Sequence, residues 1–137
     1  QGMRNSNCLA IAPTATISNI SGCLPSIEPI YKNLYVKSNS SGEFTVTNEY
    51  LIEDLKKLNL WNADMMEKLK YHDGSVQKIF EIPVEVRERY KEVFEIDPNW
   101  IVRHAAYRGK WIDQSQSVNI FTSSDSGRLI SNIYTNA

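Results

Sequence analysis

The chain has 137 residues, with 15 lysines and arginines against 16 aspartates and glutamates and a formal net charge of −1. That length suits one domain with one hydrophobic core, and 42% hydrophobic with 23% charged residues excludes general disorder. The near-zero charge removes the electrostatic reason to expect nucleic acid or an anionic membrane, and no apolar run approaches the roughly 18–20 residues of a bilayer span.

In chain order, Cys8-Leu9-Ala10-Ile11-Ala12 is a short continuous apolar run ending at Pro13. It predicts a strand covered on both faces, as in a parallel sheet. The small, hydroxyl-rich stretch from Thr14 to Ser21, with Gly22 as its stop, predicts a tight loop and a short helix. Residues 30–37 and 43–47 alternate apolar and polar around Ser38-Asn39-Ser40-Ser41-Gly42. That is the pattern of a β-hairpin with a five-residue connection and one face in water.

Four helical patterns come next. Asn48 is placed to cap a helix with Leu51, Ile52, Leu55 and Leu58 on one stripe. Asn62 is placed to cap a second, with Trp61 and Met66 as a hydrophobic staple and Gly74 near its stop. Pro83 opens a third, on which Val86, Tyr90, Val93 and Phe94 share a stripe. Asp97-Pro98 joins an N-cap to a first-turn proline ahead of Trp100, Ile101, His104, Ala105 and Trp111.

Residues 117–122 (Ser117-Val118-Asn119-Ile120-Phe121-Thr122) then alternate like a second core strand, and Ser124 or Asp125 is placed to cap a last helix. The helical pattern from Leu129 to Ala137 meets no Gly or Pro stop, and the chain opens on Gln1. The expectation is a piece of a larger domain, incomplete at both ends. The order β-α-ββ-αααα-β-α places a β-hairpin and several helices between two core strands. It points to the α/β class, as a fragment of a barrel or layered sheet that two core strands cannot complete.

The residues best placed for chemistry are Thr14, Ala15, Thr16, Ile17 and Ser18. Where a buried strand turns into a helix, several backbone N–H groups lack intrahelical partners and point outward with the positive end of the helix dipole. Small residues let an anion approach them, and the hydroxyls of Thr14, Thr16 and Ser18 are candidate extra donors, which makes a phosphate or carboxylate site without a lysine. The alternative is an ordinary N-cap whose hydroxyls turn inward. The glycine-rich nucleotide loops GxxxxGK[ST] and GxGxxG are absent from the sequence.

The other candidates read as structural. His72 is expected at the surface and His104 packed on its helix. Glu49, Glu53 and Asp54 form a solvated face, and Arg87, Arg89 and Lys91 alternate with Glu85, Glu88 and Glu92 as on an exposed helix. Trp61, Trp100 and Trp111 are expected as core or interface bulk. Cys8 and Cys23 are the only cysteines, without CxxC or Cys/His metal spacing, so they read as buried or idle thiols of a reducing compartment and no metal site is expected.

Three stretches carry a family resemblance: Arg4-Asn5-Ser6 with Leu9 to Ile20, Ser26-Ile27-Glu28-Pro29-Ile30-Tyr31, and Arg103 to Asn119 with its Gly109-Lys110-Trp111-Ile112-Asp113-Gln114-Ser115-Gln116-Ser117 core. In this order and spacing the chain resembles the large (alpha) subunit of ribonucleotide reductase, most like its aerobic class I branch, over essentially its whole length. The resemblance implies a ten-stranded α/β barrel, of which residues 1–137 are a part of the catalytic domain. It implies a cytoplasmic enzyme that reduces ribonucleotides to deoxyribonucleotides through a cysteine thiyl radical. It also implies a homodimeric alpha subunit, served by a small (beta) subunit whose metal cofactor generates the radical and by a dithiol reductant, with no nucleic-acid or membrane partner.

By position, Thr14, Ala15, Thr16 and Ile17 match the family's phosphate-contacting residues, with Ser18 as their neighbour. The resemblance therefore implies that this turn holds the diphosphate of a ribonucleoside diphosphate, largely through backbone N–H groups. The family's Asn-x-Cys-x-Glu radical loop, redox cysteine pair, allosteric nucleotide sites and tandem tyrosines have no counterpart in the sequence. No catalytic residue and no bound cofactor are expected in this segment, and alone it is expected to be inactive and poorly folded. The competing reading is a stand-alone helical interaction module built on residues 48–113.

Overall fold

The computed structural model of the chain describes residues 2, 4–40 and 42–137. Gln1 and Met3 of the chain's opening and Ser41 of the predicted hairpin connection lie outside the described residues. The chain forms two units, one comprising the residues up to Glu28 together with Ile96–Ala137, the other Pro29–Glu95.

In Pro29–Glu95 the alternating segments form an antiparallel hairpin of β1 (Leu34–Asn39) and β2 (Gly42–Thr47), in register from Leu34↔Thr47 to Asn39↔Gly42. The strand starts later than the predicted Ile30, and the connection is shorter than the predicted five residues. The reason lies at Asn33. Its N–H donates to Glu92 Oε1 at 2.7 Å, its side-chain amide donates to the Tyr90 and Gly74 carbonyls at 2.9 and 3.3 Å, and its carbonyl accepts from Asn48 N–H at 2.8 Å. These bonds tie Asn33 to three other segments, so pairing begins only at Leu34.

With helices numbered along the whole chain, the core draws on α2 (Glu49–Lys57), α3 (Ala63–Tyr71), α4 (Val84–Arg89) and the connection between the last two. It consists of Leu51, Leu55, Met65, Leu69, Val76, Ile79, Ile82, Val86 and Tyr90, with Leu34, Leu60 and Trp61 packed against it. Fully burying a leucine such as Leu55 contributes about 1.5–3 kcal/mol relative to leaving it in water. Leu58 is exposed because α2 ends at Lys57, and Met65, not Met66, enters the core. Asn62 caps α3 as predicted, its Oδ1 accepting from Met65 N–H at 2.8 Å. Asn48 occupies the N-cap position of α2, but its amide donates to Asn33 Oδ1 at 2.9 Å instead of its own helix. The stripe predicted from Val86 to Phe94 is broken: α4 ends at Arg89, Val93 is buried in a 3-10 turn (Val93–Glu95), and Phe94 is exposed.

Two acidic residues expected on solvated faces are built into this unit. Glu92 is buried and accepts from Asn33 N–H, and burial pushes its carboxyl above the usual carboxylate range. Asp54 accepts from Lys57 Nζ at 2.9 Å, Tyr90 Oη at 2.7 Å and Arg89 at 2.9 Å. The hydrogen bonds from Lys57 and then Tyr90 hold its carboxyl down to about 2 from an ordinary 3.8. Burial, reinforced by the bond to Asp54, pushes the Tyr90 phenol up to about 12.

A pH dependence follows from Asp54. Between pH 3.8 and about 2 the unfolded chain binds the proton that folded Asp54 refuses, so stability falls as the pH drops through that window and is fully present above it. With Trp100 and Trp111 replaced by phenylalanine, Trp61 fluorescence reports this unit alone. Urea midpoints read this way are expected to fall less steeply from pH 4 to pH 2 in Asp54→Asn than in the parent, and to be lower at pH 7. Parallel slopes would show that Asp54 does not carry the linkage.

The other unit begins with the extended segment leading to α1 (Ala15–Ser21). Gly22 closes that helix at φ +66°, and the Cys23 N–H donates to Ser18 O at 3.0 Å, as the glycine stop predicts. The two predicted core strands are corrected. Neither 8–12 nor 117–122 forms a strand of a sheet; Ile11 of the first meets Gln116, just before the second, at a single parallel bridge. Leu9 is 57% exposed instead of covered on both faces. Such coverage needs elements packed on both faces, and within this unit residues 113–117 pair with one edge only.

Later in the chain, Asp97 Oδ1 accepts from Asn99 N–H at 3.0 Å and Pro98 opens α5 (Pro98–Gly109), as predicted. Ser126, not Ser124 or Asp125, occupies the N-cap position of α6 (Gly127–Asn136). The two helices pack together, with Ile101, Val102 and Ile133 buried. Trp100, His104 and Trp111 are exposed, so neither tryptophan is core and the interface alternative is the one left for them; the buried side of α5 is the one carrying Ile101 and Val102.

Candidate functional site

The five candidate residues sit together at the start of α1. Thr14 occupies the N-cap position with φ 48° and ψ 24°, in the left-handed region that a β-branched residue rarely enters. Its hydroxyl does not cap the helix. Thr14 Oγ1 accepts from Ser26 N–H at 2.8 Å, and Ser26 is itself at φ 55°. Two disfavoured backbone conformations are thus joined by one hydrogen bond.

The first intrahelical donor is Ser18, whose N–H reaches Thr14 O at 2.9 Å. The N–H groups of Ala15, Thr16 and Ile17 precede it, so they are first-turn donors without acceptors in the helix. Ala15 and Thr16 are exposed and Ile17 is 66% exposed, so this end of the helix is open to a ligand. Ser18 differs from its neighbours. It is 2% exposed, and its hydroxyl donates back to Thr14 O. Its expected part as a hydroxyl donor to an anion is therefore corrected: both its donors serve the helix. Thr14 differs again: its Oγ1 accepts from Ser26 N–H, which leaves its O–H as a donor beside the backbone N–H groups of Ala15, Thr16 and Ile17.

Residues 113–119 hold both flanks of this turn. Asp113 accepts from Leu9 N–H through Oδ1 and from Cys8 N–H through Oδ2, each at 2.8 Å. The Leu9 bond, then the Cys8 bond, hold its carboxyl below the usual carboxylate range. Ser117 N–H donates to Ile11 O at 2.8 Å. Beyond the helix, Asn119 donates its backbone N–H to Glu28 Oε1 at 2.9 Å and its side-chain amide to both Glu28 oxygens at 3.1 Å. Sequence reasoning gave Asp113, Asn119 and Glu28 no role beyond their place in the resemblance. Nothing local marks a carboxylate whose partners lie 105 and 104 residues away.

The remaining candidates do not join this site. His72, half-buried, lies in the other unit. His104 lies edge-on to Trp100, with centroids 6.5 Å apart, in a shallow groove lined by Trp100, Arg103, His104, Tyr107 and Arg108. All five come from α5 at helical spacing, so the groove is one helix face and not a convergent pocket. Cys8 and Cys23 are free and exposed, which corrects the buried reading. Among the described residues no group of three or more His, Cys, Asp or Glu side chains could hold a metal ion, and no helix is long and apolar enough to cross a membrane.

A family model described as the barrel domain of ribonucleotide reductase matches residues 1–137. The chain is 54% identical over 136 residues to a ribonucleoside-diphosphate reductase subunit alpha of Chlamydia muridarum, covering 99% of this chain and 13% of that protein. It is 44% identical over 133 residues to the large subunit from Trypanosoma brucei brucei, covering 97% and 16%. Among solved structures, the class Id ribonucleotide reductase alpha subunit of Actinobacillus ureae superposes with a TM-score of 0.84 at 32% identity, over 98% of this chain and 24% of that one. The chain thus spans only a small part of the length of the relatives it matches.

Proposed function

The chain belongs to the ribonucleotide reductase barrel-domain family, and from that premise we propose that it is the substrate-phosphate-holding part of a ribonucleoside-diphosphate reductase catalytic subunit. The complete subunit reduces ribonucleoside diphosphates to deoxyribonucleotides by thiyl-radical chemistry. The observation that carries the reading is the open first turn of α1, where the N–H groups of Ala15, Thr16 and Ile17 have no intrahelical acceptor and the dipole favours negative charge. The backbone from Thr14 to Ile17 binds the diphosphate. Ser18 shapes the turn through its bonds to Thr14 O.

The radical and redox chemistry belongs to other parts of the enzyme. Neither Cys8 nor Cys23 has Asn-x-Cys-x-Glu surroundings. A small subunit generating the radical, a dithiol reductant and a second alpha subunit complete the assembly. The two unpaired cysteines accord with a reducing, cytoplasmic setting.

The test is turnover by the complete subunit with a radical-generating small subunit and a dithiol. Ribonucleoside diphosphates are expected to be reduced, and the Cys8→Ser, Cys23→Ser double variant is expected to stay within a few-fold of the parent. No turnover by the parent would overturn the reading. A loss of several orders of magnitude in a folded double variant would place a working thiol in this segment.

A further inference from the structure

Resting on the phosphate-holding turn proposed above, we propose that residues 113–119 are a splint that sets the shape of that turn, with Asp113 and Asn119 as positioning residues. Thr14 sits in the left-handed region, which its β-branched side chain disfavours, so surrounding structure must impose the conformation. The chain enters the turn through Cys8 to Ile11 and leaves the helix through Ser26 to Glu28. Both flanks are tied to one short stretch.

On the entry side the Asp113 carboxylate bridges the successive N–H groups of Cys8 and Leu9 at 2.8 Å each. The Gln114 and Ser117 N–H groups donate to the Leu9 and Ile11 carbonyls at 3.1 and 2.8 Å. On the exit side Asn119 grips both oxygens of Glu28, and Ser26 N–H reaches Thr14 Oγ1. A carboxylate accepting two backbone N–H bonds fixes the position of the entering segment as well as its direction, and hydrogen bonds to a charged acceptor are the stronger kind. Neither residue is placed against the ligand, so each acts through the backbone that carries the first-turn N–H groups.

The experiment uses the complete reductase subunit with its radical-generating partner. In Asp113→Asn, one accepting oxygen becomes an NH₂ group facing a backbone N–H. The KM for a ribonucleoside diphosphate is expected to rise about tenfold with kcat nearly unchanged, because a displaced turn loses roughly one charge-assisted hydrogen bond to phosphate. Asn119→Ala, on the other flank, is expected to raise KM by about threefold, as loss of a neutral-donor contact would. Asp113→Glu, which keeps the carboxylate, is expected to recover most of the affinity. The unphosphorylated nucleoside should bind all variants alike.

A merely structural role would lower the folded fraction, reducing kcat while leaving KM in place. That outcome would overturn the proposal, as would an unchanged KM in both Asp113→Asn and Asn119→Ala. Should Asp113→Asn fail to fold, Asn119→Ala decides alone. Thr16→Pro, measured alongside, separates the two layers. If it weakens diphosphate binding while the splint variants do not, the turn stands and the splint falls. If it has no effect, the turn is not the phosphate site and the splint falls with it.

Discussion

Thr16→Pro in the complete subunit is expected to weaken ribonucleoside diphosphate binding about ten- to hundred-fold. The substitution removes one backbone donor to a charged acceptor, worth roughly 1.5–3 kcal/mol, at about 1.4 kcal/mol per tenfold. Thr16→Ser, which keeps the N–H, is expected to be mild. Proline also disfavours the helical conformation at Ala15, which adds a distortion of the turn that the next comparison separates. The control is the nucleoside without phosphates, whose weak binding should be indifferent. Equal losses for both ligands would indicate general distortion, and no loss for the diphosphate would remove the turn from the binding site.

Gly74→Ala is expected to be the most damaging small substitution in the Pro29–Glu95 unit. Gly74 is buried at φ +95°, and an added Cβ would lie 2.7 Å from Glu92 Oε1, 2.8 Å from Leu34 N and 3.0 Å from Leu34 O. Two of those three atoms are backbone at the start of β1, so they cannot swing aside. A left-handed conformation for an L-residue costs about 1–2 kcal/mol and overpacking about 1–3, which together give a loss of about 2–5 kcal/mol. Urea denaturation followed by Trp61 fluorescence, with Trp100 and Trp111 again replaced by phenylalanine, would measure it. A loss below about 0.5 kcal/mol at Gly74, the range of an ordinary surface substitution, would show that β1 shifts freely.

The parts of the fold legible in the sequence are those fixed by neighbours. Asn62 caps three residues ahead, Asp97-Pro98 opens α5, Gly22 stops α1, and the alternation at 34–47 makes a hairpin. What was misread depends on distant partners. Glu92 looks like one more charge on an exposed helix, yet it is buried beneath Asn33, 59 residues away. Asp54 looks like part of an acidic face, yet it gathers Lys57, Tyr90 and Arg89. Helical spacing showed that one side of α5 is apolar but not that Ile101 and Val102 would be buried in place of Trp100.

The site divides along the same line. Unpartnered first-turn N–H groups follow from any strand-to-helix turn, so Ala15, Thr16 and Ile17 could be found from sequence. The direction of the hydroxyls could not. Thr14 Oγ1 accepts from Ser26 N–H and Ser18 Oγ donates to Thr14 O, both through the shape of the turn and not through residue type. The Asp113 bridge to Cys8 and Leu9 needs the fold to exist before it can be seen.

The most direct measurement is a crystal structure of the complete subunit with a ribonucleoside diphosphate bound. Phosphate oxygens are expected about 2.7–3.2 Å from the backbone nitrogens of Ala15, Thr16 and Ile17, the ordinary range for N–H···O bonds. The Ser18 hydroxyl should still point to Thr14 O. A diphosphate held elsewhere, with those three N–H groups facing only water, would contradict the account.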